Sequence, residues 1–360
     1  MRLRSLVCTA LTSVSLLVSA CGGEEAPPPA NAPPKLPPSM SDHPDETTAA
    51  GANATPPPAP AATGAAGALS HPPSADVQRG IRALDAGDLA GAKSAFAAAE
   101  TKDPNDADAA YFSGVVADRG HDSKAAEAHF RRALSLSPGH AAATADLSAI
   151  ETEDGRNEDA AALCRVAIAK HPEDSVLHLN LAVALAKKGD AGAAASEFEA
   201  AIKGDGQQPM YFLTYGHWLM TWKKPEDART KLQTAHKLAA GDVGMLAGVA
   251  HEMLQLHDFS ACVTTLDEAI TLQDAGELRM ERAFCKAGAK DDAGARADLE
   301  AAVKNDPSFA PAHFLLATHL AKAGDSARAI AEYQAYVKLA PETPNAKVAR
   351  ERIKLLQKKR

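Results

Sequence analysis

The stretch His251-Glu252-Met253-Leu254-Gln255-Leu256-His257 comes closest to a set of residues that could do chemistry. Histidines and a glutamate hold a zinc ion and activate its water when they follow H-E-x-x-H, because residues four apart share one helix face. Here Gln255 fills the fourth place, and the second histidine comes six residues after the first, well round a helix from it. His313 and His319 repeat that fault, and the 13 histidines are otherwise scattered. No G-x-x-x-x-G-K-[ST], G-x-G-x-x-G or G-x-S-x-G segment is present. The cysteines Cys8, Cys21, Cys164, Cys262 and Cys285 show no C-x-x-C or Cys/His metal spacing. The last three stand among apolar residues and read as small core hydrophobes with free thiols rather than as a disulfide pair. These residue types predict no enzyme, no metal site and no cofactor.

The bulk composition bounds the rest. The chain has 360 residues, 46% of them hydrophobic but only 4% aromatic. Burial must therefore come from close approach of alanine-rich helices rather than from bulky side chains. A formal net charge of −8 argues against nucleic acid as the main partner, since phosphate binding needs a clustered basic surface.

Cys21 has a context of its own. Arg2 and Arg4 precede an apolar stretch, Leu6 to Val18, which is diluted by Thr9, Thr12, Ser13 and Ser15. A charged start followed by a short apolar run reads as an export signal, too short for the roughly 20 apolar residues of a membrane span. Val18-Ser19-Ala20-Cys21 resembles the lipobox of bacterial lipoprotein signal peptides. That resemblance implies cleavage before Cys21, a diacylglycerol on its thiol and an acylated new amino terminus. Residues 1–20 would then be the signal peptide. The alternative is an ordinary secretory signal with a chance cysteine. Gly22 stands where the enterobacterial inner-membrane retention signal has aspartate, so the resemblance points to the outer membrane, on its periplasmic face or at the cell surface. Residues 21–72 are rich in Pro and Ala and nearly free of aliphatic side chains, so they are expected to form a disordered tether. It reads either as a spacer from the membrane or as a linker of no required length.

The remainder carries a repeat. Ala92 with Phe96, Ala126 with Phe130, Ala160 with Cys164, Ala194 with Phe198, Ala228 with Leu232, Cys262 with Leu266, Ala295 with Leu299 and Ala329 with Tyr333 each place a small residue four before a larger apolar one. Successive pairs keep one phase, about 34 residues apart, with a step one residue shorter between Cys262 and Ala295. Each unit reads as two helices, with a small residue in the first at Gly80, Gly114, Ser148, Ala182, Gly216, Ala250, Ala283 and Ala317. Turns are expected at Gly87-Asp88, Gly189 and Gly324-Asp325.

This pattern resembles the tetratricopeptide repeat, W-x2-L-G-x2-Y…A-x3-F…P. The resemblance covers about 73–341. It departs in largely lacking the family's Trp and first-helix Tyr, and in lacking the closing Pro near Gly206, Ala240 and Asp274. It implies an all-α solenoid of about eight helix-turn-helix repeats wound into a right-handed superhelix, here followed by a capping helix over 342–360. It also implies a concave face lined by the first helices. Projected onto this sequence, that face carries Tyr111, Val115 and Arg119, then Leu179, Val183 and Lys187. Met210, Leu213, His217 and Met220 follow, then His251, Leu254 and Gln255. Met280 and Phe284 come next, and Phe314, Thr318 and Lys322 last. This Met- and Phe-rich lining suits an apolar or amphipathic helix or peptide of a protein partner. Leu179 and Leu213 are the members that inter-repeat packing claims most readily. The expected function is a lipid-anchored scaffold of the bacterial envelope that binds protein partners, with no small-molecule substrate evident. Candidate clients by resemblance are pilus or secretin, outer-membrane and peptidoglycan machineries. The alternatives are a structural spacer without a client and an envelope hydrolase.

Overall fold

The computed structural model describes residues 72–358. The leader, Cys21 and all of the tether before Pro72 lie outside the described residues. The described residues form seventeen helices and no strand. They pair as first and second helices of eight repeats: α1 (Ala75–Asp85) with α2 (Leu89–Lys102), α3 (Ala107–Arg119) with α4 (Ser123–Leu136), and α5 (Ala141–Glu153) with α6 (Asn157–Ile168). Next come α7 (Ser175–Lys187) with α8 (Ala191–Gly204), α9 (Pro209–Thr221) with α10 (Pro225–Leu238), and α11 (Val243–Gln255) with α12 (Phe259–Leu272). The last pairs are α13 (Gly276–Gly288) with α14 (Asp292–Asn305) and α15 (Ala310–Lys322) with α16 (Ser326–Leu339), and α17 (Pro344–Lys358) follows. Each helix packs on its partner and on the next repeat, which makes an α-solenoid.

The turn inside each repeat has one design. Its last residue but one takes positive φ at Gly87, His121, Gly155, Gly189, Lys223, His257, Lys290 and Gly324. In six of the eight the next residue is an aspartate whose carboxylate caps the second helix, as Asp88 accepts from Gly91 N at 2.8 Å. Four of the left-handed positions carry His or Lys, which sequence reasoning reserves for glycine. His257 is one of them: α11 ends at Gln255, so His251 and His257 do not even share a helix.

The small-and-large pairs form the core. All eight pairs of second-helix residues are buried, from Ala92 and Phe96 to Ala329 and Tyr333. The large member lies against the small residue of the first helix. A Cβ on Gly80 would stand 2.4 Å from the Phe96 ring, and one on Gly216 would stand 2.8 Å from Leu232. At the far end Ala346 and Ala349 of α17 are buried with Tyr333 and Tyr336, while Ile353 and Leu356 pack beside them, so α17 caps the last repeat.

Two other first-helix positions vary more. They flank the small residue, one before it and three after it. Repeats four, five, six and eight fill them with buried side chains: Leu181 and Leu185, Tyr215 and Leu219, Val249 and Met253, Leu316 and Leu320. Repeat three has Leu147 and Glu151, repeat seven has Arg282 and Lys286, and repeat two has only Ser113 and Ala117.

The charged fillings differ. In repeat seven, Asp298 of α14 is 3% exposed and accepts from Arg282 Nε at 2.9 Å, with Lys286 Nζ at 2.8 Å. Burial works against its charge, but the hydrogen bonds from Arg282 and Lys286 outweigh it and hold the carboxyl below the usual range. In repeat three, Glu151 is 1% exposed; one carboxylate oxygen accepts from Arg131 at 2.7 Å and the other has no protein partner. Burial there exceeds the pull of Arg131 and Arg156, and the Glu151 carboxyl lies above its usual range.

The cysteines require a correction. Cys262 and Cys285 form a disulfide, with Cα atoms 6.0 Å apart, rather than remaining free thiols. Both are fully buried, on α12 and α13, where the solenoid stacks a second helix on the following first helix. Their separation of 23 residues hides that adjacency in the sequence. Cys164 alone fits the expectation. It is a free, buried thiol, which burial pushes up to about 12.

Candidate partner-binding face

The first helices place the expected groove residues in three groups. Tyr111, Leu179 and Leu213 are buried in the core, at 3%, 0% and 3% exposure. Tyr111 stacks beside Phe112, Phe130 and His140, and its hydroxyl donates to Asp146 at 3.1 Å. Burial, with the Asp146 charge beside it, pushes the Tyr111 hydroxyl well above its ordinary pKa. These three residues belong to the core between helices.

The second group is half-buried and apolar. Val115 packs on the core of the first repeats, and Val183, Met210 and Met220 pack on that of the fourth and fifth. Met220 and Leu254 also pack on the core of repeats five to seven, so Met220 joins two core clusters. Met280 and Phe284 on α13 are half-buried, and Phe314 on α15 lies 5.5 Å from Tyr333 and 5.1 Å from Tyr336. Methionine in such positions has one side against the core and flexible atoms still open to a ligand.

The third group is polar and, Thr318 apart, tied to the neighbouring repeat. Arg119 donates to the Leu84 carbonyl at 3.1 Å, and Lys187 donates to the Thr152 carbonyl at 3.0 Å. His217 Nδ1 donates to Glu252 Oε1 at 3.0 Å, and His251 Nδ1 to Glu281 Oε1 at 3.2 Å. Beside them, and outside the expected set, Asn180 Nδ2 donates to the Ala145 carbonyl at 2.7 Å. Thr318 is held by Phe314 and Tyr333, and Lys322 reaches Asp292 at 3.0 Å. Gln255, Arg119 and Lys322 are exposed.

Asp146, Glu252 and Glu281 form the part of this face that sequence reasoning missed. Each accepts a bond from a first-helix residue one repeat earlier. Their signal was a Tyr or His followed by an acid 35 residues later, or 30 at the seventh repeat, and it is readable only once first helices are known to lie side by side. The bonds use up polar groups that would otherwise recognise charge. The apolar residues left half-buried along these helices include Met210, Met220 and Leu254.

Among the described residues no group of three or more His, Cys, Asp or Glu is placed to hold a metal ion. His313 is spent on Glu332 at 2.6 Å and the Pro307 carbonyl at 3.1 Å, and burial lowers the pKa of His319.

Comparison with known proteins agrees with this architecture. Two sequence profiles of the tetratricopeptide repeat match, one over 77–141, 118–175 and 291–344 and the other over 151–213. No curated protein matches the chain. Among solved structures, yeast Tom70 is similar with a TM-score of 0.53 and 15% identity, over 80% of this chain and 65% of Tom70. This chain thus spans about two thirds of Tom70's length. PilW, a widely conserved type IV pilus biogenesis factor, gives 0.49 and 18% over 54% of this chain and 91% of PilW. Pseudomonas aeruginosa PilF gives 0.43 and 18% over 61% of this chain and 96% of that one. At 15% identity the likeness to Tom70 is one of fold. With the phased helix pairs, the buried small-and-large residues and the matching profiles together, the chain belongs to the tetratricopeptide repeat family.

Proposed function

We propose that this protein is an interaction scaffold of the bacterial envelope, anchored through lipid on Cys21, and that its first-helix face takes an apolar or amphipathic segment of a protein partner. The observation that carries the reading is the row Met210, Met220 and Leu254, half-buried and apolar on a face whose cations and histidines are tied to neighbouring repeats. A family of scaffolds supplies protein partners as the class of ligand, and the lipobox-like sequence supplies the membrane. No helix among the described residues is long and apolar enough to cross a membrane, so on this reading attachment falls to the acyl chains.

The test is crosslinking of the protein in its native envelope, comparing wild type with Met220→Asp plus Leu254→Asp. Partner capture should fall sharply in the double variant, because two charges would be pressed against an apolar ligand. Equal capture of the same partners by both would contradict the reading. In parallel, Cys21→Ser should release the body from membranes, and retention would count against the lipid anchor.

A further inference from the structure

Repeat two lacks the two side chains that fill its counterparts. Where repeat four buries Leu181 and Leu185, repeat two has Ser113 and Ala117. The space they leave is a cavity of about 710 Å³ between α2, α3 and α4, open to solvent. It lies between the second helices of repeats one and two, with α3 as its third wall. Its apolar walls come from Leu89 and Ala97 of α2 and from Val116 and Ala117 of α3. A volume of this size falls within the range of small-molecule sites.

The polar groups of the cavity are unequal. Of its two carboxylates, Glu100 accepts from Ser113 and from Arg132, each at 2.5 Å, and Asp122 caps α4 through Ala125 N. Both are satisfied. Arg132 bridges Glu100 and the Pro104 carbonyl. Lys93 and His129, which also line the cavity, have no ion-pair or hydrogen-bond partner among the described residues. The groups left to meet a ligand are therefore cationic or donating, and they stand beside an apolar floor.

We propose that this cavity binds a small amphipathic anion, with its aliphatic body in the space left by the two missing side chains and its acid group against Lys93 and His129. The proposal stands apart from the partner face, since Lys93 and His129 lie on the second helices α2 and α4, which carry none of that face's residues, and the ligand class differs.

The test uses the full chain carrying Cys21→Ser, so that no attached lipid competes, and a charge-swapped pair of probes, decanoate and decyltrimethylammonium. Methyl NMR should show saturable shifts of Leu89 and Val116 with decanoate, and far weaker ones with the cation. Ser113→Leu plus Ala117→Leu, which restores the filling of repeat four, should abolish the shifts while raising the thermal midpoint. Lys93→Glu should weaken decanoate about fivefold, the scale of one exposed charge contact. If the filled variant fails to fold, Ala97→Leu blocks the cavity from α2 and should abolish the shifts instead. Equal response to both probes, no response to either, or binding unchanged in the filled or blocked variant would each overturn the proposal.

Discussion

Repeats four and seven put opposite chemistry at the same two positions. Repeat four has Leu181 and Leu185, and repeat seven has Arg282 and Lys286 closed over a buried Asp298. Both interiors are filled, yet they respond to damage differently. An aliphatic filling loses contact area when cut, whereas an ionic one leaves a charge buried without its partner. The comparison teaches that the repeat frame rests on the small-and-large pair, and that these two positions are free to be greasy, ionic or empty. Repeat two is the empty case.

The largest effect is expected from Asp298→Ala, which strands Lys286 and leaves Arg282 only its bond to Asp267. It should cost about 3–5 kcal/mol in urea unfolding. Arg282→Val, Lys286→Met and Asp298→Thr together install the set that repeat six carries at Val249, Met253 and Thr265, and should return stability to within about 1 kcal/mol of wild type or above it. If the triple variant is as unstable as the single one, the two fillings are not interchangeable and the comparison fails.

Acid sharpens the contrast. The Asp298 carboxyl is held below its ordinary value, so its stabilisation is present above the unfolded-state pKa and is lost as pH falls through the folded one. The gap between wild type and Asp298→Ala should therefore narrow on acidification. Glu151 lies above its ordinary value, so its contribution is full below the unfolded-state pKa and is lost as pH rises through the folded one. Glu151→Gln should gain relative to wild type as pH rises from acid to neutral. Denaturation midpoints across that range check both signs.

The disulfide ties repeat six to repeat seven at the one step that is a residue short. Closing a loop of this length is worth roughly 3 kcal/mol in the chain-entropy account, so Cys262→Ser with Cys285→Ser should lower stability by up to that amount. Mass spectrometry of the intact chain with and without reductant checks the bond itself. The smallest effects belong to the turns. Gly189→Ala should cost about 1 kcal/mol at a left-handed position, while Lys223→Gly should be neutral or slightly stabilising.

The phase of the repeats was legible because it is written in residues that touch within one repeat, such as Ala194 and Phe198 beside Ala182. Three of the eight left-handed turns, at Gly87, Gly189 and Gly324, were read from glycine; Gly155 was passed over, and His121, Lys223, His257 and Lys290 gave no glycine to read, because the repeat imposes that conformation from outside. Contacts between repeats were harder to read. The pairing of Cys262 with Cys285 and the burial of Tyr111 depend on how closely successive helices stack, which no single repeat records. Of the candidate face, Met210, Met220 and Leu254 are half-buried, whereas Tyr111, Leu179 and Leu213 are buried in the core. The carboxylates that hold its histidines did not show in a projection of one helix at a time.

The central claim is that partners meet the first-helix face. Photo-crosslinking in the native envelope tests it most directly, with a benzophenone amino acid placed at Met220 on that face or at Leu272, which is 50% exposed on the second helix α12. The account predicts protein adducts from position 220 and none from position 272. Equal adducts from both positions, or adducts from 272 alone, would contradict it.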